Sequence, residues 1–126
     1  MKLTSLRIIT KDIKQSVPFY EKAMGFTAQW FTEDFVELRT NSITIAIGST
    51  NTMKMFGGDH FTASQGPSST IIEFLVADVD GEYEKIKTLT DCILQEPTTM
   101  PWGNRSLLFC DPDGNLIEIG RYADAA

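Results

Sequence analysis

The sequence is poor in the residues that usually build metal centres and nucleophilic sites. Its 126 residues include only two cysteines, Cys92 and Cys110, and one histidine, His60. Two cysteines are too few for a disulfide scaffold or for a zinc site with four nitrogen and sulfur ligands, so we expect two reduced thiols. The single histidine is isolated from any serine or cysteine partner in sequence, which argues against a catalytic triad or dyad.

Positive charge and long apolar runs are also scarce. Lys and Arg number 11 against 17 Asp and Glu, so the formal net charge is −6 at pH 7. An acidic protein repels nucleic acid and anionic membrane surfaces, and neither is expected as a partner. No apolar run approaches the roughly 20 residues that span a bilayer, and the first residues lack a secretory signal. These absences predict a cytoplasmic protein.

The chain does contain enough apolar residues, 42% of the total, to form the core of one domain. Its first part predicts a strand over 3–10 and a helix that begins at Asp12 and ends at Gly25. Pro18 lacks the N–H that would bond to the Lys14 carbonyl, so we expect a kink or a later helix start. Three extended segments follow, over 27–32, 34–40 and 42–48. Because the connections between them are so short, we expect the three to be antiparallel neighbours.

The same order of elements returns in the second half, after a polar and glycine-rich segment. A strand is predicted over 70–76, a helix begins at Asp78, and three strands follow over 92–95, 106–110 and 116–122. An internal repeat of this kind decides a fold more firmly than any single strand. We therefore predict one domain over 1–126, with module one at about 1–50, a linker at about 49–68 and module two at about 69–122.

One hairpin in the second half makes a specific prediction. If the sixth and seventh strands turn near Pro101, Cys92 and Cys110 face each other across the pair. The two thiols should then be neighbours and should stay reduced in a reducing compartment.

Three motifs resemble the glyoxalase, bleomycin-resistance and extradiol dioxygenase superfamily, the vicinal oxygen chelate fold. They are Asp12-Ile13-Lys14-Gln15-Ser16-Val17-Pro18-Phe19-Tyr20, Met24-Gly25-Phe26 and Asp111-Pro112-Asp113-Gly114-Asn115-Leu116-Ile117-Glu118. Proline and glycine at the centre of the third motif also predict a tight turn from chemistry alone. The resemblance implies an α+β fold in which two βαβββ modules form a curved eight-stranded mixed sheet around a cavity, usually in a homodimer.

Metal-dependent members of this superfamily bind one divalent ion through four His, Glu or Gln residues on the first and last strands of each module. The resemblance maps these positions to Ser5, near Ile45, near Ile71 and to Glu118. Only Glu118 offers a good ligand, and one carboxylate does not hold a catalytic ion. We therefore predict no metal and no cofactor.

Side chains alternate along a strand, so a polar face can be read from the sequence. We expect the apolar residues to face the helices and the polar set to face the cavity. Two residues near the seventh strand extend this polar set. Trp102 offers a flat ring for stacking, and Arg105 fits the family pattern. The candidate ligand contacts are Ser5, Arg7, Glu73, Trp102, Arg105 and Glu118. An alternative explanation is an internal ion pair of Arg7 with Glu73 or Glu118.

The residues together predict a metal-independent protein that binds a small organic molecule, a drug or a metabolite. A negative surface suits a cationic ligand. An enzyme stays open as the alternative: a lyase or isomerase that uses Glu73 or Glu118 as general base, or a metal-dependent glyoxalase or dioxygenase whose ligands lie elsewhere. His60 and the linker have no assigned role, although a long loop could close over the cavity.

Overall fold

Each half of the chain folds into a strand, a helix and three further strands. The structure, a computed structural model, describes residues 1–52 and 70–123, in two compact units. Module one contains β1 (Ser5–Thr10), α1 (Ile13–Met24), β2 (Gln29–Thr32), β3 (Phe35–Arg39) and β4 (Thr44–Ser49). Module two contains β5 (Ile71–Leu75), α2 (Val79–Ile86), β6 (Ile93–Thr99), β7 (Arg105–Cys110) and β8 (Leu116–Arg121).

The two modules share one sheet topology. Strand order is β1-β4-β3-β2 in module one and β5-β8-β7-β6 in module two. The first and last strands of each module pair in parallel, and the other pairs are antiparallel. The predicted α+β class, the βαβββ repeat and the antiparallel run of three strands are therefore confirmed. The structure describes two four-stranded sheets, and their union into one curved sheet around a cavity stays a prediction.

The first helix begins where its cap residue predicts. The Asp12 side chain accepts a hydrogen bond from the Gln15 backbone N–H at 3.3 Å, and Gly25 ends the helix with φ of 76°. Of the two expectations for Pro18, the later helix start is wrong, because the helix begins at Ile13 and runs through this residue, and the kink stays a prediction. The carbonyl that Pro18 leaves without an N–H partner belongs to Lys14, an exposed residue at which water can replace the lost bond.

The second helix is shorter and less deeply buried than the first. Asp78 caps it in the same way, accepting from the Gly81 N–H at 3.0 Å. Within α2 only Val79 and Ile86 are buried. They belong to the core of module two together with the apolar residues of the central strands, which are Leu107, Phe109, Ile117 and Ile119. The opposite face of this sheet is left for the polar residues that alternate with them.

The turn between β7 and β8 is held by one carboxylate. Asp111 is 5% exposed, and its Oδ1 accepts from the Asp113 N–H at 2.9 Å and from the Asn115 N–H at 2.7 Å. Its Oδ2 accepts from Asn115 Nδ2 at 2.8 Å, and Gly114 takes the positive φ of 86° that the sequence predicts. These local hydrogen bonds hold the turn that joins β7 to β8.

The hairpin of β6 and β7 brings the two cysteines together, as predicted. The Cys110 N–H donates to the Cys92 carbonyl at 3.0 Å, and both thiols are free. Cys110 is buried and Cys92 is exposed. Burial, the neighbouring Cys92 thiol and the nearby Asp111 charge raise the pKa of Cys110 to about 12.

Most of the predicted linker, including His60, lies outside the described residues. Its first predicted residue, Ser49, belongs to β4. Neither described helix is long and apolar enough to cross a membrane.

Candidate functional site

The parallel strands β5 and β8 place two carboxyl groups side by side. Glu73 and Glu118 are partners in the strand register, so their side chains leave the same face of the sheet. Their neighbours Phe74, Ile117 and Ile119 leave the other face, which alternation predicts. Burial, a hydrogen bond with the Glu118 carboxyl and the charge of that group raise the pKa of Glu73 above its ordinary value. The pair therefore favours binding a proton or another positive group.

A cavity of about 90 Å³ opens beside this carboxyl pair and belongs to module two. It is lined by Glu73, Met100, Trp102, Asn104, Arg105, Ser106, Glu118, Gly120, Arg121 and Tyr122. Four of the six predicted ligand contacts thus lie around one cavity. Trp102, one of these lining residues, is 68% exposed in the loop between β6 and β7.

Ser106 also lines the cavity. Its hydroxyl group forms no hydrogen bond with the other lining residues. The residue is 4% exposed, and its Oγ has no hydrogen-bond partner within the described part of the chain. Its register partner on β8 is Gly120. A Cβ at residue 120 would lie 3.4 Å from Glu73 Oε2 and 3.7 Å from Ser106 Cβ. The absent side chain at Gly120 therefore leaves space between the carboxylate and the serine.

Arg105 lines the cavity, but its charge is already compensated. Its Nε and Nη2 donate to Asp80 at 2.9 and 2.7 Å, and its Nη1 donates to Thr99 at 2.9 Å. This bidentate pair holds the pKa of the Asp80 carboxyl below its ordinary value. The arginine ties the first turn of α2 to β7, so its structural role is visible in the geometry. Its predicted contact with a ligand stays a prediction.

The remaining predicted contacts, Ser5 and Arg7, lie on β1 of module one. Both residues are exposed. The guanidinium of Arg7 lies 5.0 Å from the centre of the Phe35 ring, which in turn lies 6.1 Å from the Phe31 ring. This is a cation–π contact on an exposed face. The alternative ion pair of Arg7 with an inward glutamate would join the two modules and stays a prediction.

The strand register places a second carboxyl group beside Glu118, the fourth mapped metal position. Glu118 lies beside Glu73, whereas Ile71, near which the third position is mapped, lies beside Leu116. The corresponding pair in module one is Arg7 and Ala46, since Asp12 and Asp78 place Arg7 and Glu73 equally far before their helix caps. A guanidinium and a methyl group offer no lone pair to a metal.

Module two therefore offers a second carboxylate, Glu73, beside the single ligand of the sequence mapping. Throughout residues 1–52 and 70–123, no three His, Cys, Asp or Glu side chains come together as a metal site. The residues at the mapped positions do not fit the four-ligand ion of metal-dependent relatives.

Sequence reasoning missed Ser106 and Gly120. Both could have been placed near Glu118 by counting alternate residues along neighbouring strands, because Gly120 follows Glu118 by two positions. What the sequence does not contain is the register, which sets Ser106 opposite Gly120 and leaves its hydroxyl unpartnered.

Comparison with known proteins gives this arrangement a family context. Residues 2–119 match the family described as Glyoxalase/Bleomycin resistance protein/Dioxygenase superfamily. The chain is 29% identical over 124 residues to the uncharacterized protein YraH of Bacillus subtilis, covering 94% of this chain and 97% of that protein. It is 32% identical over 121 residues to a bleomycin resistance protein of Geobacillus stearothermophilus, covering 86% of this chain and 87% of that protein.

A solved structure shows the same fold at lower identity. A glyoxalase-related enzyme from Fulvimarina pelagi superposes with a TM-score of 0.84 at 18% identity, over 96% of this chain and 88% of that one. At this identity the likeness concerns the fold alone.

Proposed function

Since the chain belongs to the glyoxalase/bleomycin resistance protein/dioxygenase superfamily, we propose that it binds a small organic molecule, a drug or a metabolite, without a metal ion. One observation carries the proposal. Glu73 and Glu118, whose carboxyl groups are paired, line one cavity of module two together with Ser106, whose buried hydroxyl has no partner among the described residues. Buried polar groups normally have partners, so a hydroxyl without one at a cavity wall supports a ligand site.

Size and charge support a cationic ligand that enters with one end. Sites that enclose a drug-sized molecule usually measure roughly 300 to 1,000 Å³. At about 90 Å³ this cavity accommodates a single functional group. Arg105 in the lining is paired with Asp80, so the two neighbouring carboxyl groups outnumber the remaining lining cation, Arg121, and favour a positive group in a chain of net charge −6. The exposed ring of Trp102 would stack on the remainder of the ligand.

Independence from metal is supported by the donor set of each module. Module two supplies the paired carboxylates of Glu73 and Glu118, and module one carries Arg7 and Ala46 at the equivalent pair. A chelated nickel, zinc, manganese or iron(II) ion needs more donors than these. Calorimetric titration with each ion should detect no site of micromolar affinity. One such site per chain that disappears in Glu118→Ala would contradict this part of the proposal.

The binding proposal is tested with cationic drugs. Copper-free bleomycin is the first probe, followed by a panel of aromatic amines and guanidines in a thermal-shift screen. Glu118→Gln should weaken each interaction by roughly 10- to 100-fold, the value of a charge-assisted hydrogen bond. Glu84→Gln is the matched control, because it removes the same charge from an exposed residue of α2. Equal affinity of Glu118→Gln and Glu84→Gln, or no binder in the panel, would overturn the proposal.

A second candidate function is supported by the raised pKa of Glu73. A carboxyl group that binds its proton more tightly than usual is suited to general acid–base catalysis, as in a lyase or isomerase. Each binder from the screen is incubated in deuterium oxide with the wild type and with Glu73→Gln. A deuterium atom incorporated by the wild type alone supports proton abstraction by Glu73. Equal incorporation, or none, removes this function for those compounds.

The proposal includes a cytoplasmic homodimer. Edge strand β2 supports self-association, because all four of its residues are exposed and two of them, Trp30 and Phe31, are large aromatics. Sedimentation equilibrium should give twice the 14.1 kDa mass of the chain. A monomer at every concentration would contradict the dimer.

A further inference from the structure

Two side chains of module two approach the same point above the backbone of Gly120. That point is where a Cβ would lie, 3.4 Å from Glu73 Oε2 and 3.7 Å from Ser106 Cβ. Because β5, β8 and β7 are consecutive in the sheet, Glu73 reaches the point from one side and Ser106 from the other. A ligand group packed on the Gly120 backbone would lie between the Glu73 carboxyl oxygen and Ser106, beside the Arg105 carbonyl oxygen, which is 3.5 Å from the same point.

The hydroxyl of Ser106 is the feature that the fold leaves unexplained. It lies in a residue that is 4% exposed, on a central strand, at the wall of a cavity. An unsatisfied buried hydroxyl weakens folding, whereas replacing it with an apolar group of similar shape is nearly neutral. A serine at this position therefore weakens the fold unless a bound group supplies a partner.

The chemistry of the bound group follows from its partners. Ionised carboxyl groups only accept hydrogen bonds, and a serine hydroxyl accepts as well as donates. A group that satisfies both partners therefore carries N–H bonds, and the carboxyl pair favours a positive one. A quaternary ammonium has the charge but no N–H. It would leave Ser106 and the carboxyl oxygens without hydrogen bonds, and such sites discriminate strongly against ligands that lack the donor.

Resting on the proposed function and deepening it, we infer that the cavity selects a cation with N–H groups, a guanidinium or a primary ammonium, over a quaternary ammonium. Ser106 is the residue that determines this specificity, by accepting one hydrogen bond from the cation. Trp102 contributes stacking to either kind of cation and does not discriminate between them.

The test uses two probes that share an aryl group and a charge. Phenethylguanidinium and phenethyltrimethylammonium are titrated into the whole protein at pH 7, and binding is followed by nuclear magnetic resonance. The guanidinium should bind about tenfold more tightly, the usual effect of one satisfied buried polar group. Ser106→Ala should remove most of this preference by weakening the guanidinium alone. Ser42→Ala, which truncates an exposed serine of module one, should leave both affinities unchanged.

Two further measurements separate specificity from structure. Ser106→Ala should melt no lower than the wild type without ligand, since it removes an unpartnered hydroxyl. A clear loss of melting temperature would show that Ser106 acts in folding and would overturn the inference. Gly120→Ala places a methyl group at the shared point and should weaken both probes.

The outcomes distinguish this inference from the proposal on which it rests. Equal binding of the two probes, with both weakened by Glu118→Gln, would overturn the selectivity and leave cation binding intact. If Ser106→Ala keeps the preference for the guanidinium, Ser106 does not determine the specificity. Water alone is then the partner of its hydroxyl group. Failure of both probes, or binding that Glu118→Gln does not change, would overturn the proposed function as well.

Discussion

The two modules share a topology but differ in what their equivalent strands carry. The register pairs Arg7 with Ala46 in module one and Glu73 with Glu118 in module two. The first site is a cation stacked on an aromatic ring, and the second is a pair of acids at a cavity. Duplication of a fold therefore preserves the placement of a site, while its chemistry depends on a few side chains.

The helices differ in burial as clearly as the sites do. Six residues of α1 are buried, whereas α2 buries only Val79 and Ile86. Module two adds polar connections, among them the bidentate pair of Arg105 with Asp80. Helix α1 is therefore held by core packing, whereas α2 is held by hydrogen bonds at its first turn.

The largest expected effect tests this contrast in helix anchoring. Tyr20 on α1 is fully buried, and Tyr20→Ala should lower the free energy of unfolding by about 3–5 kcal/mol. Tyr83 on α2 is half-buried and bonds to Glu96 at 3.3 Å, so Tyr83→Ala should cost only about 1 kcal/mol. Urea denaturation measures both. Equal losses would show that the two helices are anchored alike.

The next effect concerns the polar anchor of α2 in acid. The pKa of Asp80 is lowered by Arg105, so its stabilising contribution is present above its ordinary value and is lost as the pH falls through the lowered one. The wild type should therefore lose more stability than Arg105→Gln when the pH is lowered from 5 to 2. Melting temperature against pH measures the difference. Parallel curves for the two proteins would show that the pair contributes nothing.

A smaller effect is expected at the equivalent residues Arg7 and Glu73. Their replacements should change the melting temperature in opposite directions. The raised pKa of Glu73 means that folding favours its protonated form, so its charged form opposes folding at neutral pH. Glu73→Gln should then melt slightly higher than the wild type at pH 7, and this advantage should vanish in acid. Arg7→Gln should melt slightly lower, because it loses the contact with Phe35.

The comparison of Arg7 and Glu73 also decides between two explanations for Glu73 and Glu118, which are a ligand site and an internal ion pair. If Glu73 mainly neutralises Arg7, its replacement strands a positive charge and both variants lose stability. A large loss of melting temperature in Glu73→Gln, with ligand affinity unchanged, would favour the ion pair over the ligand site.

The smallest effect is local to the β6–β7 hairpin and leaves the fold intact. Cys92 is exposed, and Cys110 is buried with its pKa raised to about 12. At pH 8 an alkylating reagent should therefore modify one thiol of the native protein and both thiols after denaturation. Mass spectrometry counts the adducts. Two fast additions to the native protein, or none after denaturation, would contradict the presence of one exposed and one buried free thiol.

Much of the fold could be predicted because its signals are local. Asp12 and Asp78 cap the helices that they precede, and the turn around Asp111 carries its own hydrogen bonds. These features depend on residues three or four positions apart, which the sequence displays directly. The helix through Pro18 was predicted less well, since exposure of the Lys14 carbonyl is decided by packing.

The site could be predicted only in part because it depends on distant residues. Alternation along the strands placed Glu73 and Glu118 on one face, but only the register shows that they are direct neighbours. The partner of Arg105 is Asp80, which lies on another element and has no signal in the sequence. The unpartnered state of Ser106 is a property of the packed sheet, so no pattern of residues could reveal it.

The parallel pairing of β5 with β8 has a consequence for the order in which this region assembles. The β7–β8 hairpin closes a short loop that Asp111 already holds, so it is suited to form early. Strand β5 joins from far along the chain and lies at the edge of its sheet. Glu73 is thus brought to Glu118 by a contact between residues far apart in the chain, at one edge of the sheet. Transient release of that one edge would dissolve the acid pair and free a bound molecule while the hairpin stays folded.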